Sequence, residues 1–220
     1  CMSAYSGADL RLTCHLLLGQ VFICPMTYPE LFQLLREDDF AREVSQVLNP
    51  LGYSLSQVGD SESPEVFFCA LLDVEDSRQR QHAEKRLLEI RDQIGAFIEF
   101  FRLVDNAGQS SVVSGGEVSF SRLLAAIENH PPYLDQLRDL QGLKLFESSR
   151  NAKDHADRLS RVLKVMQDQG YIVRRSTDST VYAFTGKMAY LQRIMGWLAD
   201  HHQIEVIKPE DRSAFQEGLL

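Results

Sequence analysis

Residues 151–184, NAKDHADRLSRVLKVMQDQGYIVRRSTDSTVYAF, decide how the chain reads. Ala152, Ala156, Leu159, Val162, Leu163 and Met166 recur every three or four residues, which predicts an amphipathic helix over 151–169. Gly170 stands where a helix C-terminal glycine belongs. Two short runs rich in β-formers follow, 171–175 and 180–184, separated by the polar Ser176-Thr177-Asp178-Ser179. That pattern predicts a hairpin directly behind the helix. Upstream, 121–129 reads as a helix closed by His130-Pro131-Pro132, and 133–140 as a short helix ending at Gln141-Gly142. Glu117-Val118-Ser119-Phe120 fits either a short strand or the start of a helix. Downstream, 188–201 reads as a last helix before a tail.

The first half has the same order. A helix is expected over 9–19, and a second after Thr27 as N-cap, with Pro29 and Glu30 in its first turn. A third covers 39–48, with Phe40, Val44, Val47 and Leu48 on one stripe, and stops at Asn49-Pro50. Residues 52–58 alternate as a half-buried strand, 59–64 form a turn-rich loop, and 66–72 form a second strand. Between the halves, 76–106 reads as one long helix, charged at first and apolar from Leu87 through Ile94, Phe97, Ile98, Phe101 and Val104. The Gly- and Ser-rich stretch 107–116 reads as a linker. Three helices and a hairpin, repeated, predict a mostly α chain with small β-hairpin wings (α+β). Its expected architecture is two winged-helix domains, 1–75 and 116–209, joined by a central helix and linker, 76–115, with 210–220 as a tail.

Composition narrows the class. The 220 residues are 44% hydrophobic and 25% charged, close to the average of globular domains. The longest apolar run, 16–23, falls well short of the roughly 18 residues a membrane helix needs. It also lacks the basic leader and small-residue cleavage site of a signal peptide, so a cytoplasmic protein is expected. Cys14, Cys24 and Cys69 sit in apolar surroundings at no metal-ligand spacing, and core roles without zinc are expected of them. Net charge is −8, unevenly spread. Residues 1–115 hold 9 Lys/Arg against 17 Asp/Glu, whereas 116–209 hold 13 against 11.

There is no phosphate-binding P-loop, dinucleotide glycine fingerprint, nucleophile elbow or zinc-protease helix. Asp38-Asp39 and the acids between Asp73 and Asp76 read as charges favoured at helix starts. His201-His202 falls at a helix end, where positive charge is favoured, and His15 reads as a core or interface histidine. No catalytic constellation, metal or cofactor is expected.

Basic residues carry more information. The last helix before a wing presents its polar face to DNA in helix-turn-helix folds. Here that segment offers Arg150, Lys153, Arg158, Arg161 and Lys164, and the hairpin adds Arg174 and Arg175. Such side chains position DNA by its phosphates without reading bases. The competing reading is a solvated face, because Asp154–Arg158 and Asp157–Arg161 are helix-stabilising i,i+4 pairs. Phe97, Phe100 and Phe101 also have two readings: core packing, or a groove that holds a partner helix or strand.

The stretches 87–97 (LLEIRDQIGAF), 118–124 (VSFSRLL) and 158–164 (RLSRVLK), continuing through 169–172 (QGYI) into Phe184-Thr185, resemble the MukE/MksE family. These are the tandem winged-helix subunits of MukBEF/MksBEF-type bacterial condensins, with relatives in the Wadjet systems. The likeness spans most of 87–190 and, by order of elements alone, the first 75 residues. It implies a nucleoid-associated homodimer that binds a MukF/MksF-like kleisin and, through it, a MukB/MksB-like SMC ATPase. It further implies that the subunit helps hold double-stranded DNA, in chromosome organisation or in plasmid defence. The other class of reading is a free-standing winged-helix transcription regulator. The net charge and the mixed-sign helix weigh against autonomous, sequence-preferring binding.

Overall fold

The structure is a computed structural model and describes residues 5–72, 77–108, 111–176 and 178–202. The acids between Asp73 and Asp76 lie outside the described residues, as do the side chains of His201 and His202. The described residues are mostly helical, with two small antiparallel sheets.

The first part begins with α1 (Gly7–Leu18), opened by a reciprocal cap. Ser6 accepts from the Asp9 amide while the Asp9 carboxylate accepts from the Ser6 amide. These bonds hold the Asp9 carboxyl below its ordinary value. Next come α2 (Pro29–Leu35) and α3 (Asp38–Leu48), then a single 3-10 turn, Asn49–Leu51. Thr27 does not cap α2 as the sequence suggests. Its hydroxyl donates to the Phe22 carbonyl and accepts from the Cys24 amide, bracing the turn ahead of the helix. Phe40, Val44 and Leu48 are spaced by four on α3 and fully buried. They close over Leu17, Phe32, Leu35 and Phe67 to form one core. His15 is exposed rather than part of that core.

Strands β1 (Tyr53–Gly59) and β2 (Pro64–Leu71) form the expected hairpin, with Gln57 opposite Phe67. Ile23, from the loop between α1 and α2, exchanges both backbone hydrogen bonds with Phe67. The hairpin therefore has a one-residue third member on its β2 side.

Helix α4 (Ser77–Gly108) has 32 residues and spans about 48 Å. Its second half is not a spacer. Phe97, Phe100, Leu103 and Val104 are buried in the larger core with α5 (Phe120–Asn129), α6 (Pro131–Gly142) and α7 (His155–Asp168). Residues 111–116, which read as a linker, are tied down. The Gly115 amide donates to the Phe184 carbonyl and the Phe184 amide to that of Gly116. Residues 117–120 then satisfy both readings of the sequence: Glu117–Ser119 is strand β3, and Ser119 caps α5. Strands β4 (Ile172–Arg174) and β5 (Val181–Phe184) complete a sheet of order β3-β5-β4. Gly170 has φ +78, the left-handed geometry that ends α7.

Helix α8 (Lys187–His202) ties the parts together. Ala189 and Tyr190 pack against Phe22, Val58, Val66 and Phe68 in a third, smaller core. The Tyr190 ring lies 5.0 Å from Phe22 and 4.9 Å from Phe68, centroid to centroid. The Lys187 ammonium stands 4.6 Å from the Tyr171 ring centroid and 5.5 Å from that of Phe22. A cation between two rings adds to the apolar contact at this joint.

Candidate nucleic-acid interface

The helix-and-hairpin unit that decides the fold also frames the main cleft of the second half. Helix α7 starts at His155, four residues later than its apolar pattern alone suggests. The reason is local. The Asp154 carboxylate accepts from the Asp157 amide at 2.7 Å, and the Asp157 carboxylate accepts from the Lys153 amide at 2.9 Å. This reciprocal cap fixes the helix start. It also occupies Asp154, so the anticipated Asp154–Arg158 pair gives way to the cap.

Leu159, Val162, Leu163 and Met166 turn inward from α7 and are fully buried. Ser160, Lys164 and Gln167 occupy the outer stripe, at i, i+4 and i+7. Opposite them stand Val173, Arg174, Ser176 and Tyr182 of the hairpin, and between the two lies an open cleft of about 580 Å³. A depression of about 250 Å³ continues it past Arg174 to Asp178, Ser179 and Thr180.

Arg174 is held in this wall. Its Nε donates to the Tyr182 hydroxyl at 3.1 Å, and its guanidinium lies 5.4 Å from the same ring's centroid. Lys164, on the opposite wall, reaches Asp168 at 3.2 Å, and both side chains are well exposed. An exposed pair of this kind is worth little, so a competing anion can displace it.

The other cations named from the sequence do not converge here. Arg150 donates to the carbonyls of Gln141 at 2.9 Å and Gly142 at 3.1 Å, and pairs with Glu147. It closes the end of α6, satisfying carbonyls that the helix leaves open. Arg161 is bound to Asp157 at 2.9 Å. That contact, followed by the bond from the Lys153 amide, holds the Asp157 carboxyl below its ordinary value. It also raises Arg161 above its own. Arg175 is clamped by Glu117 of β3, its Nε donating at 2.7 Å. Arg158 is half-buried, with its Nε enclosed and without a hydrogen-bond partner. Lys153 is exposed at the foot of α7.

Lys164 and Arg174 thus share the cleft, while Arg150, Arg161 and Arg175 serve local structure. Sequence reading missed Ser160, Gln167, Ser176 and Tyr182. The first two were available from the spacing of Lys164's neighbours on the polar stripe. The last two depend on how the hairpin folds over the helix.

Phe97 and Phe100 are 1% and 0% exposed, and Phe101 is half-buried against the same core. Phe97 packs edge-on to Tyr171 at 5.0 Å, and Phe100 lies 6.2 Å from Phe146. Phe97 and Phe100 thus build the interior, while Phe101 keeps part of its ring at the surface.

A cleft with facing cations, hydroxyls and an amide side chain suits a phosphodiester backbone. Among the described residues no group of three or more His, Cys, Asp or Glu could hold a metal ion. Among the same residues no helix is long and apolar enough to cross a membrane. No family model matches this chain, and no curated protein matches it.

Proposed function

We propose that this chain is a non-enzymatic accessory subunit of a bacterial SMC/condensin complex, of the MukE/MksE kind. In this reading it binds a kleisin and helps to hold duplex DNA, for chromosome organisation or plasmid defence. It acts as a homodimer, with an SMC ATPase reached through the kleisin. The observation that carries the reading is a repeated strand arrangement. In each half a short segment between helices pairs with the second strand of the following hairpin: Ile23 with Phe67 of β2, and β3 with β5. Helix, short strand, helices and hairpin in that order, twice, support a tandem winged-helix architecture. In helix-turn-helix folds the last helix before the wing faces DNA, which favours the cleft between α7 and its hairpin for that role.

The charge pattern favours assisted rather than autonomous DNA contact. Net charge is −8, and the cations facing the cleft are few. Each neutralised phosphate contributes through counterion release, so a handful of contacts holds DNA weakly unless partners add their own. The test is purification of the tagged protein from its own cells, with the accompanying chains identified. A kleisin-like chain with a large coiled-coil ATPase is expected. Recovery of the protein alone would overturn the reading, and tight duplex binding by that lone protein would favour a transcription regulator.

A further inference from the structure

Arg174 differs from the other cations around the cleft in the partner that holds it. Arg150 pairs with Glu147, Arg161 with Asp157, Lys164 with Asp168 and Arg175 with Glu117. Among the described residues no carboxylate pairs with Arg174. Lys153 and Arg158 also lack one, but neither lines the cleft. Arg174 is held instead by the neutral Tyr182, through the bond from its Nε and the approach of its guanidinium to the ring. Tyr182 is itself fixed. It is 4% exposed, sits on β5 in the middle of the β3-β5-β4 sheet, and stands directly opposite Arg174 of β4. Opposed residues of paired strands point to the same face. The terminal nitrogens of the exposed guanidinium keep no described partner, and they form the planar fork that grips a phosphate with two parallel N–H groups. Arg174 and Tyr182 line both the cleft and the depression that continues it. The depression carries Asp178, whose carboxylate repels a phosphate, whereas the cleft carries Lys164. An anion therefore belongs on the Lys164 side of Arg174.

We propose that Tyr182 is the positioning residue of this interface: it aims Arg174 at a DNA phosphate while leaving the guanidinium charge uncompensated. The proposal rests on the reading of the cleft as a DNA interface. A carboxylate in the place of the phenol would also fix the arginine, but an incoming phosphate would then have to displace it. Lys164 is in that position, since it must part from Asp168 before it meets another anion. A phenol fixes the side chain without cancelling its charge. The rotamer freedom that an exposed arginine loses on binding is then already lost in the free protein, which is preorganisation in the ordinary sense. Arg174 thus meets a phosphate with its full charge and in a set direction.

The test is binding of a short mixed-sequence duplex, followed by fluorescence anisotropy across a salt titration. The protein is used with its co-purifying chains, as parent, Tyr182→Phe, Arg174→Gln and the double variant. Tyr182→Phe keeps the buried ring and removes only the hydroxyl, and circular dichroism establishes that each variant is folded. Tyr182→Phe is expected to weaken binding by roughly three- to tenfold, the scale of reordering one long side chain. Its salt slope should match the parent, because the charge remains. Arg174→Gln should weaken binding and flatten the slope by about one unit. The double variant should bind as Arg174→Gln does, because Tyr182 acts through the arginine. If Tyr182→Phe fails to fold, Arg174→Lys decides the matter. It keeps the charge without the fork, and the same weakening at the parent slope is expected. Parent affinity in Tyr182→Phe, or in Arg174→Lys where that variant decides, beside a weakened Arg174→Gln would overturn the proposal and leave the DNA reading standing. A further loss on adding Tyr182→Phe to Arg174→Gln would also overturn it, since the hydroxyl would then act without the arginine. Parent binding by Arg174→Gln, or no duplex binding by the parent, would remove DNA from the cleft and the proposal with it.

Discussion

The backbone amide of Gly186 donates to Sγ of Cys24 at 3.2 Å, joining residues 162 positions apart. The contact needs a residue without a side chain. A Cβ at position 186 would stand 2.5 Å from Val66 Cβ, 2.8 Å from the Glu65 carbonyl and 2.9 Å from Cys24 Cβ. Here the corner between β5 and α8 is pressed onto the outer face of the first hairpin. The fold of the second half therefore fixes the position of the first.

Gly186→Ala is expected to destabilise the protein by about 2 kcal/mol, the usual scale for overpacking a tight interior. Chemical denaturation measures this directly. Because the clash includes backbone at Glu65, side-chain rearrangement alone cannot relieve it. Stability equal to the parent would show that the joint is looser than the geometry states.

Core and half-buried rings on α4 separate by truncation. Phe100→Ala should lose about 3–5 kcal/mol, as for other fully enclosed aromatics. Phe101→Ala should lose clearly less, since part of that ring already meets solvent. Equal losses at the two positions would contradict the burial described for them.

Charge reversal separates the cleft from its surroundings. Lys164→Glu with Arg174→Glu should weaken duplex binding by the assembled complex and flatten its salt dependence by about one unit of slope per lost phosphate contact. Arg150→Ala should leave that slope alone. It should instead lower stability by about 1–2 kcal/mol, because the α6 carbonyls lose their donor. A salt slope unchanged by the double reversal would remove DNA from the cleft.

Asp157 gives a pH signature. Its carboxyl is held below the ordinary value in the folded chain by Arg161 and the Lys153 amide. Such a group adds stability that is complete above its unfolded value, near 3.9, and is lost as pH falls through its lower folded value. Asp157→Asn should therefore flatten the acid limb of the stability–pH curve below about pH 4. The slope near neutrality should not change. An identical acid limb in the variant would mean that the carboxylate gains nothing from these partners.

Thiol labelling follows opening of the first core. Burial, with Cys14 nearby, pushes the Cys69 thiol up to about 11, and burial raises Cys14 as well. The reactive thiolate is then scarce at neutral pH. Alkylation of Cys69 should be slow in the native protein and accelerate with denaturant in step with unfolding. Rapid labelling of the native chain would show that this core opens locally.

The sequence displays the elements more fully than their contacts, for a physical reason. Helix α3, the hairpins and α7 follow from periodicity, and each is stabilised by its own local pattern. Gly170 announces its turn because left-handed geometry demands glycine. What periodicity does not carry is competition for the same group. Asp154 stands at i,i+4 from Arg158, yet its carboxylate caps α7, and a cap outweighs an exposed pair. Thr27 likewise has the composition of an N-cap, but the Phe22 carbonyl and Cys24 amide occupy its hydroxyl. The cleft was half legible. Lys164 and Arg174 stand out by charge, whereas Tyr182 joins them only because β5 lies beside β4. Gly186 gave no signal, because its partner is 162 residues away.

The joint at α8 also sets an order of assembly during synthesis. Leu17, Phe32, Val44 and Phe67 can gather into their core as soon as the first hairpin has left the ribosome, since every member lies before residue 72. Phe22, Val66 and Phe68 cannot be covered so early, because Ala189 and Tyr190 have not yet been made. At translation rates of about 5–20 residues per second, that apolar sheet face waits on the order of ten seconds for its cover. The nascent first half thus carries an exposed aromatic face through most of its birth, and a chaperone meeting this chain has that face to hold.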